Sequence, residues 1–179
     1  MEEAESPTEQ IQEHIQHEAM HSSGHAQSNW ISRAALSSAF LAVFAALSSL
    51  LSGHHSNEAM IDQIQASDHW GHYQAKGIKA AILNTKIALL DSAQKEDLEK
   101  LEEYKKEQEE ISEQAKEKEA GSKKHLNTHQ VFARAVTLFQ VAIAIAAISV
   151  LSRKRPFWYM SLVFGGLGVF FFAQGFWVQ

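Results

Sequence analysis

Three stretches of the chain carry almost no charge, and this segregation limits the possible folds more than any other feature. They are residues 34–51, 135–151 and 157–178. As helices, each is about long enough to cross a hydrocarbon layer about 30 Å thick. A soluble three-helix bundle is the alternative, but 179 residues are too few to cover three helices that are apolar all round. We therefore expect an all-α membrane protein with three transmembrane helices.

The segment between the first two apolar stretches is hydrophilic and about 78 residues long. Both of its ends must lie on the same side of the membrane. A single straight helix of more than sixty residues would rise roughly 90 Å, and the short remainder of the segment could not return that distance. We therefore expect a long antiparallel helical hairpin that turns near residues 91–93. Gly121 and Ser122 predict a kink or a loop before the next span.

These boundaries divide the chain into five regions. They are an acidic, histidine-rich tail with a short amphipathic helix (residues 1–29), the first transmembrane helix (30–52) and the extramembrane hairpin (53–130). The second and third transmembrane helices follow (131–151 and 157–178).

The first arm of the hairpin is amphipathic. Its apolar face contains Met60, Ile64, Gly71, Ala75, Ile78, Ile82 and Leu89. Its opposite face contains Glu58, Asp62, Gln65, His69, His72 and Lys76, and is expected to face water. The second arm has a coiled-coil-like seam at Leu101, Tyr104, Gln108, Ile111 and Ala115. Trp70 and Tyr73 lie on the flanks of the first arm, where they would pack against the second arm or contact a partner protein.

Small residues lie along one side of each apolar stretch, as in Ser161, Gly165 and Gly168 of the third. Such residues let helices approach closely in a bilayer. They favour a homo-oligomer or a complex with another membrane protein.

Charge predicts the orientation. Arg153, Lys154 and Arg155 lie in a very short loop, which the positive-inside rule places in the cytoplasm, together with Arg33 and the N-terminus. Basic residues before the second span, such as Lys123 and Lys124, favour the opposite orientation.

There is no cysteine, which excludes disulfides and thiolate chemistry. No basic patch with interleaved aromatic residues supports nucleic-acid binding.

Two groups of residues could carry chemistry. The first is His14, His17, His21 and His25 in the tail, where imidazoles three or four residues apart on a helix could bind a divalent metal. The alternative is a solvated helix whose histidines only buffer charge.

The second group is His54, His55, Glu58, Asp62, His69 and His72. It could form a metal site, a proton relay or a general-base dyad. The alternative is the water-facing side of an amphipathic helix. No phosphate loop, nucleophile elbow or metalloprotease motif accompanies it, so we expect no enzyme. The first two apolar stretches also lack the ionisable residue that a transporter usually needs.

Two segments resemble a known family. They are Leu50-Leu51-Ser52-Gly53-His54-His55-Ser56-Asn57-Glu58-Ala59 and Ala66-Ser67-Asp68-His69-Trp70-Gly71-His72-Tyr73-Gln74-Ala75-Lys76. The chain resembles, over nearly its whole length, a family of bacterial multi-pass membrane proteins catalogued as domain of unknown function four-three-three-seven. The motif is centred on Asp68 and Trp70, and His72 stands where the family usually has tyrosine. The resemblance implies a bacterial membrane protein and carries no known activity, substrate or catalytic residue. We expect the protein in the inner membrane.

Two functional hypotheses follow. The first is a non-enzymatic helical-hairpin scaffold or assembly element that forms oligomers in the lipid bilayer, with no cofactor. The second is a metal- or pH-responsive sensor, or an accessory transport subunit, that uses the histidine groups and a divalent metal.

Overall fold

The computed structural model describes residue 13, residue 17 and residues 28–90 and 94–178. It contains three long helices: α1 (Ser28–Leu90), α2 (Lys95–Ser152) and α3 (Arg155–Gly175). No strand occurs among these residues, which confirms the all-α prediction. All three helices are long and apolar enough to cross a membrane. α1 ends at Leu90 and α2 begins at Lys95, on either side of the predicted reversal.

The helix α2 is longer than the sequence suggests. Gly121 and Ser122 lie within it in helical conformation, so the loop predicted at these two residues is wrong. A single glycine weakens a helix by only about 1 kcal/mol relative to alanine, which favourable packing readily overcomes.

A tight turn joins α2 to α3. Arg153 is left-handed, with φ of 53°, and the amides of Arg153 and Lys154 donate to the carbonyls of Val150 and Ser149 at 3.2 Å. This is the Schellman pattern that closes a helix C-terminus. Pro156 in the first turn of α3 suits a position whose amide has no partner within the helix.

The chain forms two compact units. The first, which we call the terminal unit, contains residues 1–55 and 127–179, and its described part is built from segments of all three helices. Small residues line its helix contacts. A Cβ on Gly165 would lie 2.7 Å from Leu41, and a Cβ on Gly168 would lie 2.7 Å from Phe139. The small-residue face of α3 therefore packs inside this unit.

Large apolar side chains of the terminal unit point outward. Leu36, Phe40 and Leu50 on α1 and Phe170 on α3 are all at least 60% exposed. The interior combines aromatic and aliphatic side chains such as Phe132, Phe139 and Ile143 with four fully buried serines, Ser38, Ser48, Ser149 and Ser161. The amount of exposed apolar surface is unusual for a soluble unit.

The second unit, which we call the hairpin unit, contains residues 56–126. α1 and α2 run antiparallel in it: Ala59 contacts Ser122 near one end, and Lys86 contacts Asp97 near the other. The α1 side of this contact, which we call the inner seam, has spacings of three, four or seven residues, typical of a coiled coil. It consists of Ala59, Asp62, Ala66, Tyr73, Gly77 and Ala80.

The packing of α1 in the hairpin unit differs from the sequence prediction. The apolar face does not pack: Met60, Ile64, Ile78, Ile82 and Leu89 are 56–79% exposed. The expectation that the polar face meets water is wrong for Asp62, whose side chain is only 16% exposed. Hydrophobic periodicity identifies the most apolar side of a helix, whereas α2 packs against the side with the smallest residues.

The inner seam generates a stability prediction. Ala66 is fully buried, so Ala66→Leu forces extra methylenes into packed space and should cost about 1–3 kcal/mol. Ala75 is an exposed alanine on the same helix, and Ala75→Leu makes the same chemical change without crowding α2. In thermal unfolding followed by circular dichroism, we expect only Ala66→Leu to lower the Tm. Equal melting of the two variants would contradict the packing described.

Candidate functional site

The family-motif segment of α1 lies against α2 through a series of polar contacts within the hairpin unit. The Ser122 hydroxyl donates to the Ala59 carbonyl at 2.8 Å. The Lys118 ammonium lies 3.3 Å from the Asp62 carboxylate. The Gln108 amide donates to the Tyr73 carbonyl at 3.1 Å. Each contact joins the two helices, so together they hold the register of the pair.

Two glycines make this close approach possible. A Cβ on Gly121 would lie 2.6 Å from the Asp62 carboxylate, and a Cβ on Gly77 would lie 2.8 Å from the Gln108 amide. Contacts shorter than 3.0 Å do not occur for real Cβ atoms, so a side chain at either glycine would displace the polar group facing it.

Trp70 links α1 to the middle of α2. Its indole Nε1 donates to the Glu119 carboxylate at 2.8 Å, and its ring meets the Tyr73 ring edge-on at 5.5 Å. The expected packing against the other arm is therefore seen for Trp70, whereas the Tyr73 ring contacts Trp70 on the same helix. A hydrogen bond to a charged acceptor is among the stronger polar contacts in a protein.

Lys76 forms an ion pair with Glu107, and its ammonium lies 5.2 Å from the centre of the Tyr104 ring. The hydrogen bond to Glu107 raises the pKa of Lys76 above its ordinary value of 10.5, and the nearby negative charges add to this effect. The lysine is thus a stable cation, which suits a positioning contact and not a general base.

The remaining predicted residues of the motif are not brought together. Asp68 and His72 are exposed, and Glu58 and His69 are half-buried. Among the described residues there is no group of three histidine or acidic side chains placed to hold a metal ion. This part of the second group therefore does not form the predicted metal site.

His54 and His55 belong to the terminal unit. His55 is buried, with its ring stacked on Phe132 at 5.9 Å, and the exposed His54 lies 5.3 Å from it. A third histidine, His129, joins α2 to α1 because its Nδ1 lies 2.8 Å from the Ser52 carbonyl and 2.9 Å from the Ser52 hydroxyl. The expectation of a water-facing residue is wrong for His55.

The predicted tail site lies almost wholly outside the described residues. His14, His21 and His25 are not among them, whereas His17 is helical and exposed. Metal binding there stays a prediction.

Sequence reasoning missed the α2 partners Glu107, Glu119, Gly121 and Ser122. One signal was present: Ser122 follows Ala115 by seven residues, so it extends the coiled-coil-like seam by one full repeat. Reading Gly121 and Ser122 as a break ended the seam at Ala115.

The Trp70 contact can be tested by removing its donor. Trp70→Phe keeps most of the ring but leaves the Glu119 carboxylate without its indole partner, so we expect a loss of about 1 kcal/mol in unfolding free energy. Trp177→Phe is the matched control, because Trp177 is 90% exposed. Chemical denaturation compares them, and an equal effect of the two changes would rule out a stabilising role for the bond.

The Lys76 pair predicts a dependence on alkaline pH. Because the folded pKa is raised, the stabilisation is complete below the ordinary value of 10.5 and is lost as pH rises through the raised pKa. Glu107→Gln should move the Lys76 pKa back toward 10.5. NMR titration of carbon-13-labelled lysine, with Lys76→Arg for assignment, measures the shift. Glu109→Gln, at an exposed neighbouring position, should leave it unchanged.

Comparison with known proteins gives one result. No curated protein and no solved structure matches the chain. The family model described as "Domain of unknown function (DUF4337)" matches residues 30–178, which include all of α2 and α3 and nearly all of α1. The chain therefore belongs to the DUF4337 family.

Proposed function

We propose that this protein is an integral membrane scaffold, a non-enzymatic assembly element that acts by presenting helix surfaces to other proteins. The observation that carries the proposal is the distribution of side chains. In each unit several large apolar side chains lie outside, while small and polar residues take part in the helix contacts, beside the buried Phe132 and Phe139 in the terminal unit. Exposed apolar surface of this extent is typical of surfaces that meet lipid or protein.

The terminal unit supports membrane insertion. Its outward side chains on α1 and α3 are apolar over long stretches, as expected for helices that contact lipid. Two buried serine hydroxyls of α1 are satisfied within the helix: Ser48 donates to the Phe44 carbonyl at 2.7 Å, and Ser38 donates to the Ala35 carbonyl at 2.8 Å, whereas the buried Ser161 hydroxyl of α3 has no partner among the described residues. Internal satisfaction of polar groups is what a hydrocarbon environment demands.

The hairpin unit supports a structural role. Asp62, Trp70, Lys76 and Lys86 each make a polar contact with α2. These groups therefore serve to hold two helices together, and no reactive pair is left among them for catalysis.

We also propose an orientation. Arg153, Lys154 and Arg155 lie in and beside the α2–α3 turn and are exposed. By the positive-inside rule, this turn and the N-terminus would lie on the cytoplasmic side of a bacterial inner membrane. The hairpin unit would then lie outside the cytoplasm.

Assembly is tested by crosslinking in native membranes, followed by identification of whatever co-purifies in gentle detergent. We expect a homo-oligomer or a complex with another membrane protein. A protein that stays monomeric and free of partners under both conditions would refute the scaffold function.

Orientation is tested with single cysteines, since the natural chain has none. Glu113→Cys in the hairpin unit should react with an impermeant maleimide in intact cells, whereas Ser22→Cys should react only after lysis. The reverse pattern would invert the proposed topology.

A further inference from the structure

The cations of the terminal unit have no acidic counterpart in its described part. Residues 28–55 and 127–178 contain five lysine or arginine residues and no aspartate or glutamate: Arg33, Arg134, Arg153, Lys154 and Arg155. All five side chains are exposed. Because no carboxylate of this part of the unit can balance them, their counter-charge must come from elsewhere.

Contacts between the helices bring four of these cations to one end of the unit. The Arg155 guanidinium lies over the Trp30 ring, 5.9 Å from its centre, so α3 begins beside the start of α1. The Trp158 indole donates to the Ser37 hydroxyl at 3.2 Å, and Arg33 lies one turn before Ser37 on the same face of α1. The α2–α3 turn supplies the other two cations. We call this group the basic end: Arg33, Arg153, Lys154 and Arg155.

The Arg155 guanidinium is held in a position suited to an anion. The Trp30 ring beneath it is buried and packs with Ala147 and Val150 of α2, so the ring itself is fixed. Stacking on an aromatic ring occupies one face of a guanidinium, while its N–H groups lie in the plane of the group. An arginine in this position can donate to two oxygens of one phosphate.

Exposed side chains beside the basic end follow the order of a phospholipid from headgroup to acyl chain. On α3, Arg155 is followed at four-residue steps by the exposed Tyr159 and Val163, which lie on one face of the helix. On α1, Arg33 is followed by the exposed Leu36. Tyrosine and tryptophan are typical of the level at which lipid headgroups meet acyl chains. A free phosphate would use only the cations, whereas a lipid also uses the apolar side chains.

We propose that the basic end binds an anionic phospholipid, with the phosphate at Arg155 and the acyl chains along Tyr159 and Val163. Arg33, Arg153 and Lys154 add positive charge around the headgroup. The inference rests on the membrane insertion proposed above and names a ligand within that membrane. In the proposed orientation the site lies in the cytoplasmic leaflet, whose surface potential is negative because of its anionic lipids.

The chain offers one competing anion of its own. Residues 1–27 contain six glutamates and no lysine or arginine, and they precede α1 directly in the sequence. Carboxylates of this tail could balance the basic end without any lipid. The lipid is favoured because it also accounts for the exposed apolar residues that continue from the cations along α1 and α3. The experiment therefore includes the tail as an alternative occupant.

Native mass spectrometry of the purified full chain in uncharged detergent measures the binding, with phosphatidylglycerol as the anionic probe and phosphatidylcholine as the zwitterionic one. We expect a clear preference for phosphatidylglycerol. Arg155→Gln should weaken its binding about fivefold, since one cation near a membrane surface contributes about that factor. Lys154→Gln should do the same while leaving the Trp30 contact intact, and both changes together should weaken binding roughly 25-fold.

Arg134→Gln is the matched control, because Arg134 is an exposed arginine of the same unit outside the basic end. It should leave the binding of phosphatidylglycerol unchanged. Losses as large as those of Arg155→Gln would show diffuse attraction by net charge and overturn the proposal. Equal binding of the two lipids by the wild-type chain would also overturn it.

Two further arms identify the occupant. Glycerol 3-phosphate carries the phosphate without acyl chains and should bind far more weakly than phosphatidylglycerol; equal affinity would indicate a free phosphate site and overturn the proposal. A variant with the six tail glutamates changed to glutamine should bind phosphatidylglycerol as the wild type does. Binding by this variant alone, with none by the wild type, would assign the basic end to the tail and overturn the lipid site.

The outcomes separate this inference from the proposed function. Because binding is measured in detergent, it does not depend on which way the protein faces in the membrane. Loss of the lipid preference in a wild-type chain that still co-purifies with partners from membranes would refute the lipid site and leave the scaffold function standing. A chain that is not extracted from membranes at all would refute both.

Discussion

The close approach of α1 and α2 in the hairpin unit depends on small side chains at their contact. Ala59, Ala66 and Ala115 are almost fully buried there, and Gly121 lies where any side chain would strike the Asp62 carboxylate. Because the backbones are near each other, the Ser122 hydroxyl and the Gln108 amide reach carbonyl groups of the opposite helix. These short polar contacts would be lost if larger residues separated the helices, so the register of the pair follows from residue size.

Because α1 contacts α2 through its small residues, the large apolar residues of α1 are exposed on the outside of the hairpin unit. Once α2 lies against the alanines and Gly77, the isoleucines of α1 are necessarily on the far side. The terminal unit, considered by itself, follows the same rule, since Gly165 and Gly168 contact Leu41 and Phe139 while Leu36 and Phe40 point outward. Outward apolar side chains on helices of this length are compatible with a lipid surrounding.

Much of the fold could be predicted because it follows from length and hydropathy. Uncharged stretches of membrane-spanning length, the reversal between Leu90 and Lys95, and the Leu101–Ala115 seam all have direct signals. The side of α1 that contacts α2 could not be predicted. The hydrophobic pattern favours the side with the isoleucines, whereas close packing of the two helices favours the side with the alanines. The continuity of α2 through Gly121 was missed for a related reason: this glycine provides space for Asp62, and its effect on helix propensity is minor. The contacts of the candidate site could not be predicted either, because its residues on α1 depend on partners from α2.

The distribution of side chains also indicates where function should be sought. A fully buried isoleucine or leucine contributes about 1.5–3 kcal/mol to stability, but Ile78, Ile82 and Leu89 are mostly exposed and contribute little of this to their own unit. Gly71 weakens the helix that contains it, and no internal contact requires it. Asp62, Trp70 and Lys76, in contrast, make contacts with the other helix of the unit. The outer face of α1 therefore contributes little to the stability of the hairpin unit, whereas residues of the polar motif that identifies the family are used in the contacts between its two helices.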